Sequence, residues 1–211
     1  MALLSLAERK KHAKVIIREL KRLFPRVRVF LNYRTSWELL AAVILSARCT
    51  DKKVNEVTTR LFKKYGKFND YIRAKPREFE RDIYETGFYR AKAKNILSAA
   101  KLIKEKFNSR IPKTITEMLE IPGVGRKTAN IVLESAYGIV VGIPVDTHVG
   151  RLARVLGLSS YTDPEKIERD LMELIPKKEW RGISYRLIEY GRKFCPSRPH
   201  NHKECPLSKI I

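Results

Sequence analysis

Apolar residues return at helical spacing along most of the chain. Ala13, Ile16, Ile17, Leu20 and Phe24 form one stripe, and Val54, Val57, Thr58, Leu61 and Phe62 form another that ends before Gly66. Ala93, Ile96, Leu97, Ala100, Ile103 and Phe107 form a third. A return every three or four positions puts side chains on one face of a helix, and such a face is read as core rather than as a cofactor box. Thr35 with Glu38 predicts the start of a helix whose body, residues 39–45, is apolar on every side and therefore expected at the centre of a core. Asp163-Pro164 starts one more, with Ile167, Leu171, Leu174 and Ile175 inward. Only residues 26–30 alternate like a strand, and a single strand has nothing evident to pair with. The expected fold class is all-α. No linker or repeat divides the chain, so composition gives no domain boundary.

One helical pair carries more than packing. Thr114 and Glu117 predict a capping box, followed by a short helix with Ile115, Met118 and Leu119 on its apolar side, which stops at Pro122. Gly123 and Gly125 allow a tight turn with bare backbone, and a second helix is predicted to begin near Arg126 with Ala129, Val132, Leu133 and Ala136 inward. The turn and the N–H groups at that helix start would suit a phosphate, gripped by Gly123, Val124, Gly125, Arg126 and Thr128. Such contacts fix register on a nucleic acid without reading its sequence. An ordinary helical corner would show the same glycines.

Charge changes the weighting. The 211 residues hold 44 Lys plus Arg against 23 Asp plus Glu, a formal charge of +21, so a polyanion is the expected partner. Residues 39–45 are the longest clean apolar run, far short of the roughly 20 needed to span a bilayer. Residues 1–6 lack the charged start and length of a secretory signal, so a soluble cytoplasmic, nucleoid-associated protein is expected. Absent glutamine and abundant charge lean towards a thermophile.

Lys127 falls in the first turn of the second helix, where the helix dipole disfavours a cation and favours the neutral, nucleophilic amine. Asp146 follows Pro144 and precedes a helix with Val149, Leu152 and Ala153, so by itself it reads as a cap. Paired, the two make sense of glycosidic chemistry: a carboxylate stabilises a cation-like sugar and an amine captures it. His148, next to Asp146, is expected to hold the aspartate loop by hydrogen bonds.

The run Ile121-Pro122-Gly123-Val124-Gly125-Arg126-Lys127-Thr128-Ala129-Asn130, with Val145-Asp146-Thr147-His148 and Leu45-Ser46-Ala47-Arg48-Cys49-Thr50-Asp51, resembles the endonuclease III family of helix-hairpin-helix DNA glycosylases over nearly the whole chain. The resemblance implies a six-helix domain at residues 29–139, a second domain from 1–28 and 140–211, and Lys127 and Asp146 on opposite sides of an interdomain cleft. It makes Lys127 the Schiff-base nucleophile and Asp146 the catalytic carboxylate. It assigns Arg48, where relatives often have glutamine, to filling the gap left by an everted nucleotide, and Phe88 to a wedge on the opposite strand. The activity implied is that of a bifunctional glycosylase/AP lyase acting on oxidised pyrimidines in duplex DNA during base excision repair, as a monomer. The alternatives are a monofunctional mismatch glycosylase, for thymine or uracil or for adenine, and a non-catalytic DNA-binding module. The adenine enzymes are expected to carry a carboxylate in the helix before the insertion loop, where this chain offers only Glu38.

The C-terminus departs from the resemblance. Relatives commonly hold a 4Fe-4S cluster through C-x6-C-x2-C-x5-C, and Cys195, His202, Cys205 and Ile211 align with those positions. Two thiolates are missing, so the cluster is expected to be absent. Cys195, His200, His202 and Cys205 form C-x4-H-x-H-x2-C, chemically acceptable for zinc though not a familiar zinc spacing, and a Cys195 to Cys205 disulfide is a further option. Lys193, Arg198, Lys203 and Lys209 nearby would suit a DNA backbone with or without a metal. Cys49 is expected to be an inert buried thiol.

Overall fold

The segment Ser36–Ser46 is the helix around which the larger part of the chain packs, and its sequence explains why. In the computed structural model, which describes residues 5–209, residues 37–45 are all buried, with Leu39, Leu40, Ala41, Ala42 and Leu45 wholly shielded. Each such leucine contributes about 1.5–3 kcal/mol relative to exposure. Thr35 caps the helix by accepting from the Glu38 N–H at 3.1 Å. The Glu38 carboxylate turns back to accept from the Arg34 N–H at 2.6 Å and its guanidinium at 2.7 Å.

In chain order the helices are α1 (Leu6–Leu23), α2 (Ser36–Ser46), α3 (Asp51–Lys64), α4 (Phe68–Arg73), α5 (Pro76–Asp82), α6 (Tyr89–Phe107), α7 (Ile115–Leu119), α8 (Arg126–Tyr137), α9 (Thr147–Val155), α10 (Pro164–Leu174) and α11 (Ile183–Lys193). Short 3-10 turns occupy Tyr84–Thr86, Lys177–Glu179, His202–Glu204 and Pro206–Lys209. The described residues contain no strand, which agrees with the all-α expectation. Residues 26–30, the strand-like stretch, run as an irregular connection because no second strand supplies a ladder. No helix among the described residues is long and apolar enough to cross a membrane. Residues 1–4, part of the segment read for a signal, lie outside the described residues, as does Ile211.

Contacts divide the chain into two compact units. Val29–Val141 holds α2 to α8; the described residues up to Arg28 join those from Gly142 onward. In the first unit α2 packs on α8, α3 and α6. An aromatic cluster explains α4 and α5, which are too short to show a periodic stripe. Trp37 meets Phe68 and Tyr71 edge-on at 4.9 and 5.0 Å, and Phe79 meets Tyr65 at 5.3 Å. In the second unit α1 lies on α10 and α11, and α9 on both of those. Ala13, Ile16, Ile17 and Leu20 of α1 are buried with Leu152, Leu171 and Leu187. Gly182 opens α11 at φ +72°, and a Cβ there would fall 2.8 Å from Val27 Cγ2, so packing as well as conformation selects glycine.

Candidate active site

The helix-hairpin-helix forms as its residues predict, with two departures. Thr114 Oγ1 accepts from the Glu117 N–H at 3.3 Å, but its hydroxyl donates to the Glu117 carboxylate at 2.6 Å. The Glu117 carboxylate bonds to the Thr114 hydroxyl and not to its N–H, so the expected reciprocal capping box is a one-sided cap. Met118 is buried, whereas Leu119, expected inward, is 46 % exposed.

Both glycines of the turn are exposed. Gly123 has φ +79°, and a Cβ would lie 2.8 Å from Asn95 Cβ, so only glycine fits. Val124 is buried and its N–H bonds to Ile121 O at 3.0 Å; the residue anchors the turn and has no N–H left for a phosphate. Gly125 is different: it precedes α8 with ordinary φ, gives no side-chain cap, and a Cβ would meet nothing within 4 Å. Glycine there keeps the approach to the helix start open. Arg126 and Lys127 are the first two residues of α8 and both are exposed, with Thr128 half-buried behind them.

Asp146 belongs to the other unit, where it caps α9: Oδ1 accepts from the Val149 N–H at 2.8 Å and the residue is half-buried. The loop before it is tied down by Ser184, a buried hydroxyl that donates to Pro144 O at 2.7 Å. His148 does not hold this loop. It is exposed and its imidazole makes no hydrogen bond among the described residues, because the second position of α9 points it outward.

Arg48 and Phe88, 40 positions apart in sequence, come together in the first unit. The Arg48 guanidinium stands 5.2 Å from the centre of the Phe88 ring, which is 61 % exposed and so is no core aromatic. Both residues adopt the left-handed backbone conformation, φ +53° and +48°, which costs a non-glycine residue about 1–2 kcal/mol. The residue that holds their loops was not evident in the sequence. Lys92, 4 % exposed, donates to Leu45 O at the end of α2 at 2.8 Å and to Thr86 O at 2.7 Å. Burial holds its amine below the usual lysine range. A lysine on an otherwise apolar helix face was the available signal.

Near the C-terminus Cys195, His200, His202 and Cys205 bring one donor atom each to a common point, all within 4.8 Å of one another, a group able to bind a metal ion. Both cysteines are buried and free, so the disulfide option is not realised. Cys49, expected buried, is half-buried against the core of the first unit.

With the geometry in hand, known proteins supply the family. Residues 41–177 match the HhH-GPD superfamily base excision DNA repair protein family. The chain belongs to that superfamily. Among HhH-GPD proteins it is 46 % identical to endonuclease III of Synechocystis sp. over 97 % of this chain and 94 % of the relative. It is 41 % identical to endonuclease III of Bacillus subtilis over 89 % of this chain and 86 % of that one. A solved non-covalent endonuclease III–DNA complex superposes with a TM-score of 0.90 at 40 % identity, covering 96 % of this chain and 94 % of the other. A trapped endonuclease III–DNA covalent intermediate matches with the same score and identity.

Proposed function

We propose that this protein is a bifunctional DNA glycosylase/AP lyase of the endonuclease III type, which removes oxidised pyrimidines from duplex DNA and then breaks the strand by β-elimination. The observation that carries this reading is Lys127, an exposed amine in the first turn of α8, directly after a glycine turn that leaves the helix start open. A phosphate held at that turn brings the neighbouring deoxyribose towards the amine.

Asp146 is the carboxylate of this reading: ionised, it stabilises positive charge on the sugar as the base leaves, and it helps the Lys127 nitrogen to lose its proton. The Lys127 nitrogen forms a bond to C1′ while the bond from C1′ to the base breaks, and the departing base takes up a proton. Ring opening gives an imine. Loss of a proton from C2′ then expels the 3′ phosphate from C3′, and hydrolysis of the imine frees Lys127. These steps use no metal and no nucleotide cofactor.

Arg48 fills the hole left by the everted nucleotide, and Phe88 wedges the opposite strand; their contact, exposure and strained backbone support a shared task. Lys92 is a positioning residue for both. The adenine-glycosylase alternative needs an uncommitted carboxylate in α2, and Glu38 there is committed to Arg34.

A 4Fe-4S cluster is absent from this reading. Its four irons each take a separate thiolate, so the donors surround a cube. Here two of the four converging donors are imidazoles, and the four atoms lie close enough to share a single ion. The protein acts on the DNA of the nucleoid in the cytoplasm.

The deciding experiment is borohydride trapping on an abasic duplex. Lys127→Ala is expected to lower the trapped adduct at least ~1000-fold while duplex binding stays within about threefold. Equal trapping by the variant removes Lys127 from the mechanism. A panel of duplexes with thymine glycol, uracil, a thymine mismatch or adenine opposite oxidised guanine then fixes the substrate.

A further inference from the structure

We propose that Cys195, His200, His202 and Cys205 hold one zinc ion in a closed tetrahedral site that fastens the end of α11 to the C-terminal segment. Tetrahedral zinc with bonds of about 2.3 Å to sulfur and about 2.05 Å to nitrogen separates an S and an N ligand by roughly 3.6 Å. Cys195 Sγ lies 3.7 Å from His202 Nδ1, and Cys205 Sγ lies 3.4 Å from His200 Nε2. Two isolated thiol–imidazole hydrogen bonds would show such distances pairwise. They would not require both pairs to converge, as they do, with all four donor atoms within 4.8 Å of one another.

The surroundings are those of a metal ligand set. His200 Nδ1 lies 2.9 Å from Arg198 O, and a carbonyl can only accept, so the proton sits on Nδ1. That tautomer leaves the Nε2 lone pair, the one facing Cys205, free to coordinate. Arg151 of α9 places Nη1 3.6 Å from Cys195 Sγ and also donates to Cys195 O, so a cation stands beside one sulfur where thiolate charge would develop. Binding balances as one zinc dication taken up and two thiol protons released, giving a neutral centre of two thiolates and two neutral imidazoles. With four protein donors no position remains for water, so the ion has no part in base removal or strand cleavage. Its effect is to stiffen the stretch between the two cysteines, where Arg198 and Lys203 are exposed. The site stands apart from the assignment of Lys127, and either can fail without the other.

The test is the metal content of the full-length protein produced with zinc and iron both supplied. Zinc is expected at about one ion per chain, with iron and acid-labile sulfide each below roughly a tenth. Exchange with Co(II) should give the visible absorption of tetrahedral cobalt bound to thiolate. Cys205→Ser is expected to weaken zinc binding at least ~1000-fold, and Arg151→Leu about tenfold. His202 is exposed, so His202→Ala keeps the proposal testable should Cys205→Ser fail to fold; it is expected to weaken zinc binding at least ~100-fold. Iron with stoichiometric sulfide overturns the proposal, as does zinc below about a tenth per chain after dialysis against Zn(II). Unchanged zinc affinity in His202→Ala overturns it too.

Discussion

Two irregular stretches of this chain bring polar atoms together, and they are closed in opposite ways. Where the loop after α2 meets the turn before α6, one buried ammonium donates to Leu45 O and Thr86 O, and every partner comes from the chain. Around Cys195 and Cys205 four donor atoms converge, and in the proposal above a cation from outside closes the arrangement. An internally closed loop can present strained residues such as Arg48 and Phe88 whatever the metal supply. An externally closed one ties its order to an ion.

The comparison breaks most visibly at Lys92. Lys92→Met keeps the bulk but leaves two buried carbonyls without a donor, and is expected to cost about 2–4 kcal/mol by urea denaturation, with no dependence on added Zn(II). An unchanged midpoint would mean the loops are held by something else. Metal removal probes the other stretch. Zinc at about 100 times its dissociation constant stabilises by ~2.7 kcal/mol, so chelation should lower the thermal midpoint of the wild type and leave His202→Ala unmoved.

Phe88→Gly separates strain from use. Release of the left-handed phenylalanine is expected to raise stability by about 0.5–1 kcal/mol, while affinity for an abasic duplex drops roughly tenfold. Fluorescence anisotropy beside a melting curve reads both, and undiminished binding would discard the wedge.

The smallest effect is in pH. The Lys92 amine is held below the ordinary lysine value of about 10.4, so between that lowered value and ~10.4 the unfolded chain binds more protons, and stability rises with pH across the window. It is lost again as pH falls through the lowered value. The difference between wild type and Lys92→Met should therefore move in favour of the wild type on going alkaline; a flat difference would show that the two carbonyls offset the burial completely.

Much of the architecture was legible. The stripes of α1, α3, α6 and α10 declared themselves because their apolar residues repeat over several turns, and α2 because it has no polar side. Thr35, Asp146 and Asp163 mark helix starts in the sequence, and each accepts the N–H three residues on. The helices α4 and α5, of six and seven residues, were silent because so short a helix shows no period; their aromatics are recruited by Tyr65 and Trp37 from outside the segment. Helix α11 was missed because Gly182, not a polar residue, opens it. His148 was given a bonding role that its outward position does not allow. Lys92 stands on the apolar face of α6 with Ile96, Ala99 and Ile103, a local signal, but the two carbonyls that it joins belong to other segments and left no mark near it.

The helical class, the glycine turn before Lys127, the cap at Asp146 and the unusual set of sulfur and imidazole donors can all be read from the order of residues alone. These are local matters, set by spacing and by which residues tolerate a given backbone. That Arg48 rests on Phe88, that Lys92 joins their loops, and that Cys195, His200, His202 and Cys205 meet at one point became visible in the folded chain. The first two depend on how distant segments pack, and packing energy is shared among many residues at once, so no short stretch records them; the donors between positions 195 and 205 were legible locally, and only their convergence needed the folded chain.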